Sequence, residues 1–359
     1  MFPYLIVFGI SIIATYCAER SVYKSFTFYI FSCLAIVPLV LLSAFRDVSV
    51  GTDTHNYVYM FQNAVEYNHN FLIYMLLHPT FEPGFLFYNF IIAQIFSNVE
   101  TYYIITYGII VGLVYASAIK LKEYVSSHIF MLVFLFLFFS DSLNIMRQYI
   151  AVAFVIWAAA NLFEENNKKY IFWTIIAFLF HTSAIISIII GGIYWFVKKY
   201  PVNENKYIYL TLSLVFFIIV VGLERFASMG ILPVFESKLS SHISKGDSGV
   251  SNSHIAVCFL TVLFLFHNYR KDMASEMMFL IACLTLLFYI SPTMNSTLYR
   301  LTIYFNIITC FSISYAYKNI DDMYNKCIIL TLLMFYVAFY FFSIVMSGTN
   351  EVIPYSSTI

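Results

Sequence analysis

Long apolar runs broken by short polar connectors set the layout of this chain. Apolar segments lie at about 2–18, 25–45, 84–96, 102–119, 128–140, 148–163, 170–197, 207–223, 255–267, 277–291, 301–317 and 327–346. A helix needs roughly 17 to 25 such residues to cross a bilayer. The pattern therefore predicts an all-α, polytopic integral membrane protein with about 11 to 12 membrane-embedded helices, some short or re-entrant, in one transmembrane domain over 1–359. Continuous apolar runs are the wrong pattern for a membrane barrel, whose strands alternate lipid-facing and lumen-facing residues. The segment 170–197 is too long for one crossing and holds His181, Thr182 and Ser183 at its centre, so it is expected to break there into two short helices. The first apolar stretch has no basic n-region and no small-residue cleavage site, and reads as a retained helix.

The first long polar interval, 46–83, stands out against this background. It gathers Arg46, Asp47, Asp53, His55, Asn56, Glu66, His69, His78 and Glu82 in under forty residues. A second polar interval, 224–253, is rich in Ser and Gly and carries Arg225, Glu236, Lys238, His242, Lys245 and Asp247; it reads as a periplasmic loop able to close over a site.

Composition strengthens the membrane reading. The chain is 61% hydrophobic and 11% charged, with a mean hydropathy of +0.82, whereas soluble domains are about 25% charged. The formal charge is zero, so the balance itself says nothing of a nucleic-acid or acidic partner, and no nucleic acid is expected. Its distribution gives an orientation, because cytoplasmic loops hold excess Lys and Arg. Of 19 such residues, 13 fall in six connectors: Arg20 and Lys24; Lys120 and Lys122; Lys168 and Lys169; Lys198, Lys199 and Lys206; Arg270 and Lys271; Lys318 and Lys326. With those inside, Arg46, Arg147, Arg225, Lys238, Lys245 and Arg300 fall at the outer face. The count closes only if 84–96, which holds Asn89 and Gln94, dips into the bilayer or lies on it without crossing. The six cysteines lack metal-like spacing and read as packing residues.

Arg46, Arg147 and Arg300 each sit at the edge of an apolar run. One such arginine can simply snorkel to the headgroups. Three at one face suit bidentate gripping of a lipid-linked phosphate or diphosphate, since guanidinium stays charged and matches phosphate oxygens. Asp53, in Gly51-Thr52-Asp53-Thr54, is either a helix N-cap or a carboxylate that takes a proton from a sugar hydroxyl. Glu82, set before Pro83 and Gly84, competes for the second role. His181 is in the most apolar setting of the eight histidines; it could be a hydrogen-bonded core group, a base or a donor to a phosphate oxygen. The other seven read as surface or interface residues. Tyr57, Tyr59 and Tyr67 could stack on sugar rings. No HExxH, DxD, GxSxG or P-loop pattern occurs, which argues against metalloprotease, sugar-nucleotide, serine hydrolase and NTPase chemistry.

The strings FRDVSVGTDTHNYVYMF, FEPGF, LNIMRQYIAVAF, AFLFHTSAIISI and LYRLTIYF, in this order from Phe45 to Phe305, resemble the EpsG family of bacterial polysaccharide-biosynthesis membrane proteins. That family is similar in role to Wzy polymerases of O-antigen and capsule assembly. The resemblance implies a GT-C-like membrane glycosyltransferase in the bacterial inner membrane with its active site facing the periplasm. Its partner is an undecaprenyl-diphosphate-linked oligosaccharide, within membrane lipid, alongside a chain-length regulator and a flippase of the same pathway. The growing glycan would move from its lipid diphosphate to the non-reducing end of an incoming unit. On this reading Asp53, Glu82 and His181 are the catalytic candidates, Arg46, Arg147 and Arg300 bind diphosphate, and Thr52, Thr54, Tyr57 and Gln148 contact substrate. No cofactor or metal is expected, because arginine can do the charge work. O-antigen polymerisation is the leading reading. A flippase or transporter of the same lipid-linked sugars would show two related halves and a polar track, and neither is evident. A membrane acyltransferase would use a histidine but does not call for three arginines.

Overall fold

The computed structural model describes residues 1–67, 70–200, 252–268, 272–290, 296–348 and 351–358, together with a few helical residues between 208 and 222. The segment 207–223 is therefore described at 9 of its 17 positions, and the interval 224–253 with Arg225, Glu236, Lys238, His242, Lys245 and Asp247 lies outside the described residues but for its last two positions. His69 also lies outside them.

Every regular element described is helical. The order is α1 (Phe2–Arg20), α2 (Phe26–Ala44), α3 (Thr54–Glu66), α4 (Phe71–Leu77), α5 (Pro83–Ile95), α6 (Val99–Lys120), α7 (Ser127–Leu137), α8 (Phe139–Asn144), α9 (Met146–Phe163), α10 (Asn167–Phe180), a 3-10 turn (Thr182–Ile186), α11 (Ser187–Lys199), α12 (Asn252–His267), α13 (Met273–Tyr289), α14 (Ser296–Asn306), α15 (Thr309–Lys318) and α16 (Met323–Ser347). Among the described residues six helical stretches are long and apolar enough to cross a membrane: Phe2–Arg20, Phe26–Ala44, Val99–Lys120, Met146–Phe163, Thr182–Lys199 and Met323–Ser343. The protein is thus a multi-pass membrane protein, as the apolar runs require.

The ends of the helices follow local chemistry. Ser25 caps α2 by accepting from the Phe28 N–H at 3.1 Å, and Asn166 does the same for α10 through the Lys169 N–H at 3.2 Å. The 170–197 run does break where expected, with α10 ending at Phe180 and His181 extended. Helix α5 has 13 residues, so at 1.5 Å per residue it spans about 20 Å, short of a hydrocarbon core of about 30 Å. Two expected single helices are divided. The 128–140 run gives α7 and α8, parted at Phe138 by a backbone turned out of helical geometry (φ −128°, ψ −21°). The 301–317 run parts at Asn306, where the Ile308 N–H bonds to the Phe305 carbonyl and the Cys310 N–H to that of Ile307, a tighter three-residue winding.

The described chain divides into two compact units, Met1–Ile185 with Leu330–Ile359, and Ile186–Ile329. In the first, α9 is the inner helix, packed on α6 and α10, while α1 and α2 pack together and α2 lies along α6. Phe8 seats edge-on to Phe136 and Phe139 at 5.3 Å each, and to Phe341 at 5.8 Å. Hydroxyls tie helices where water is absent: Ser11 donates to the Ala35 carbonyl at 2.7 Å, and Ser32 pairs with Tyr115 at 2.7 Å. In the second unit α12, α13, α14 and α15 pack on one another. The rings of Phe288 and Phe305 stack 5.8 Å apart, and Asn306, at the α14–α15 break, donates to Tyr289 at 3.3 Å and accepts from Thr309 at 3.2 Å.

Candidate active site

Three segments far apart in sequence meet in the first unit at Glu82. This residue precedes Pro83 at the start of α5 with an extended backbone, and its side chain makes no bond to its own helix. It turns instead to two neighbours. Oε2 accepts from Arg147 Nη1 at 2.5 Å, and Oε1 accepts from the Thr182 N–H at 3.0 Å and the Thr182 hydroxyl at 3.1 Å. Glu82 is 5% exposed, so its charge is matched inside the protein, as burial demands. Gly84 makes the approach of α5 to α10 possible: a Cβ there would lie 2.6 Å from the Leu179 carbonyl oxygen.

Arg147 stands in the first turn of α9, just past a break at Ile145 (φ −94°, ψ 53°) that separates α8 from α9. Helix starts carry partial positive charge, so guanidinium and helix dipole reinforce each other. The guanidinium lies over the Phe81 ring at 4.7 Å and the Phe85 ring at 5.9 Å. Its side chain is 16% exposed, and Nε is buried with no hydrogen-bond partner.

His181 is buried at the C-terminal end of α10, next to the residue that grips Glu82. Its Nδ1 lies 3.2 Å from the Ser183 backbone N–H and 2.5 Å from Ser183 Oγ. A backbone N–H can only donate, so Nδ1 is the acceptor and the neutral ring carries its proton on Nε2.

The GTDT loop is built on the same α8–α9 junction. Gly51 has φ +96°, and a Cβ there would sit 2.7 Å from Thr54 Oγ1 and 2.9 Å from the Leu143 carbonyl. Asn144, the last residue of α8, holds the loop: its Oδ1 accepts from Thr52 Oγ1 at 2.7 Å and from the Asp53 N–H at 2.8 Å. Asp53 does precede a helix, α3, yet its carboxylate makes no cap bond and stays half-buried. Further back, the Ser49 hydroxyl and N–H hold the half-buried Asp47 carboxyl below its ordinary range.

Arg46 is differently placed. It is 1% exposed, its guanidinium lies 4.5 Å over the Tyr103 ring and 4.9 Å from that of Tyr107, and Nη1 donates to the Tyr107 hydroxyl at 2.6 Å. Tyr107 in turn donates to the Ser142 carbonyl at 2.9 Å. Nε and Nη2 have no hydrogen-bond partner.

The residues expected to touch substrate separate into two groups. Thr52 is exposed, but Thr54 is fully buried with its hydroxyl on the Val50 carbonyl at 2.7 Å, so it builds the turn. Tyr57 is buried edge-on to Phe85 at 6.0 Å, and Gln148 is buried too; Tyr59 and Tyr67 are the exposed rings of the three. Arg300 is half-buried on α14 in the second unit. The sequence marks Thr182 only as part of the polar interruption at 181–183, and does not mark Asn144 or Tyr107 at all. Asn144 stands inside the string LNIMRQ, and a polar amide at the foot of a helix break was the available signal.

Fold and site together define a multi-pass helical membrane protein that gathers an acid, an arginine and a histidine at the interrupted ends of its helices. A family model described as EpsG family matches residues 29–357, and the chain belongs to the EpsG family. No curated protein and no solved structure matches it. Membership makes this a polysaccharide-polymerase-like membrane protein of polysaccharide biosynthesis.

Proposed function

We propose that the protein is a metal-independent glycosyltransferase of the bacterial inner membrane that polymerises oligosaccharide repeat units, O-antigen being the leading case, at the periplasmic face. The acceptor sugar hydroxyl attacks the anomeric carbon of the growing glycan. The bond from that carbon to the diphosphate oxygen breaks, and undecaprenyl diphosphate leaves with the electron pair.

The observation that carries this reading is the division of labour between two carboxylates. Glu82 has both oxygens occupied, by Arg147 and by Thr182, which suits an anchor better than a base. Asp53 makes no cap bond and is partly open, so it takes the acceptor's proton. Arg147, with its spare donors and the start of α9, faces the diphosphate and stabilises charge developing on the leaving oxygen. His181, protonated on Nε2, donates to a phosphate oxygen. Thr52 contacts the incoming sugar. Arg46 acts from within its tyrosine cage as a structural cation, and for Arg300, in the second unit, a diphosphate role rests on the sequence resemblance alone.

The test is deletion of the gene, complemented with wild type or Asp53→Asn, followed by a gel of the lipid-linked polysaccharide. The expected result is loss of the ladder with one repeat unit remaining, restored by wild type and not by the variant, since a general base contributes about 10²- to 10⁴-fold. Loss of even the single unit would indicate a flippase. An intact ladder of altered mass would indicate an acyltransferase.

A further inference from the structure

The segment Glu351–Thr358 runs back across the loop that leads into GTDT, and both belong to the first unit. Arg46 and Ser357 form an antiparallel bridge. The Asp47 N–H donates to the Ser356 carbonyl at 2.9 Å, the Thr358 N–H to the Phe45 carbonyl at 2.9 Å, and the Gly51 N–H to the Glu351 carbonyl at 3.1 Å. Side chains repeat the fastening on each side: Tyr355 donates to the Leu42 carbonyl at 2.8 Å, Tyr4 to the Val352 carbonyl at 3.0 Å, and the Ser49 and Ser356 hydroxyls lie 3.2 Å apart.

These bonds fall on Leu42, Phe45, Asp47, Ser49 and Gly51, so the loop is stitched almost along its length. Val50, between two stitched residues, is fully buried. The loop's other edge rests on Asn144, which holds Thr52 and the Asp53 N–H three residues before Arg147. Local bonds fold the turn itself, from the Ser49 N–H to the Asp47 carboxylate at 2.9 Å, from the Val50 N–H to the Asp47 carbonyl at 3.0 Å and from the Thr54 hydroxyl to the Val50 carbonyl at 2.7 Å, but none of them fixes where the turn lies. Its register against Asn144 is set from the opposite side.

We infer that Glu351–Thr358 is a positioning strap, a part of the active site that touches no substrate but fixes where Asp53 points by pinning the backbone from Phe45 to Gly51. The strap stays docked through turnover, and removing it frees the loop. Its effect on the reaction rests on the polymerase reading; its effect on the loop does not.

A chain ending after Gly348, carrying Val50→Cys, is compared with the full chain carrying the same substitution. Maleimide modification at residue 50 is read by peptide mass in detergent. Because a buried side chain is labelled only through local opening, freeing the loop should raise the rate about tenfold or more, and a synthetic peptide of residues 349–359 should bring it back down. Equal rates in the two chains would overturn the proposal, whatever the protein's activity. In the wild-type background the same truncation should abolish polymerisation and the peptide should restore it; a truncated chain polymerising at the full rate would also overturn it. Should the truncated chain not fold, Ser49→Cys with Ser356→Cys gives the decision. Cross-linked by oxidation, it should retain its activity. Inactivation reversed by reductant would show that the strap has to leave, and the proposal would fail. A full-length protein without polymerase activity would sink the functional reading while leaving the labelling result to stand.

Discussion

Arg46 and Arg147 begin from the same sequence situation, a guanidinium at the edge of an apolar run, and end in opposite circumstances. Arg46 is sealed among tyrosine rings, with one hydroxyl as acceptor. Arg147 has a carboxylate on one edge and keeps part of its side chain open. A sealed cation without a matching anion organises its surroundings, through aromatic faces and through Tyr107 to the α8 carbonyl at Ser142. A cation balanced on one edge can still meet a second anion on another. Position at a membrane edge therefore does not by itself make an arginine a ligand; what decides is which of its donors the fold has already used.

This contrast can be broken in order of effect. Glu82→Gln leaves Arg147 without its counter-charge, and because the pair is largely buried the stability in detergent should fall by about 3 kcal/mol; a change near zero in the unfolding midpoint would mean that the pair is not load-sharing. Arg147→Lys can still pair with Glu82 but loses the fork, so polymerisation should drop about 100-fold, in line with removal of one oxyanion donor, while thermal stability stays near wild type. If activity per folded molecule were unchanged, Arg147 would join Arg46 as a structural cation. Tyr107→Phe removes the acceptor of Arg46 Nη1 and should cost about 1 to 2 kcal/mol of stability for an unsatisfied buried donor. Activity should follow only as far as folding does, and a loss of turnover with intact stability would place Arg46 nearer the chemistry.

Much of the layout is legible in the sequence because lipid imposes a simple rule, apolar length. Helices α1, α2, α6 and α9 fall on their apolar runs, the break at His181 falls where polar residues interrupt one, and α5 is as short as its run suggests. Where that rule is silent the reading thins. The interval 46–83 reads as a polar loop, yet it forms α3 and α4: α3 mixes polar and apolar residues, and α4, apolar but only seven residues long, falls below the length test. The turns at Phe138 and Asn306 arise from backbone geometry that Phe, Ile and Thr accommodate without announcing it.

At the site, residue types were legible and partnerships were not. Arg147 pairs with Glu82, 65 positions away, although Asp141 stands only six residues before it. Asn144 and Thr182 act through single oxygens and N–H groups whose use depends on what the fold brings against them. The pairing of Phe45–Gly51 with Glu351–Thr358 runs through main-chain groups, which every residue type but proline offers alike.

The contact at Gly84 has a consequence for what this protein can become. With the Leu179 carbonyl occupying the place of a methyl group, even alanine would act as a wedge, prising the α5 start from the α10 end and drawing Glu82 off Thr182 with it. The residue without a side chain thus works as a spacer gauge, and any enlargement of this corner would have to come from other positions.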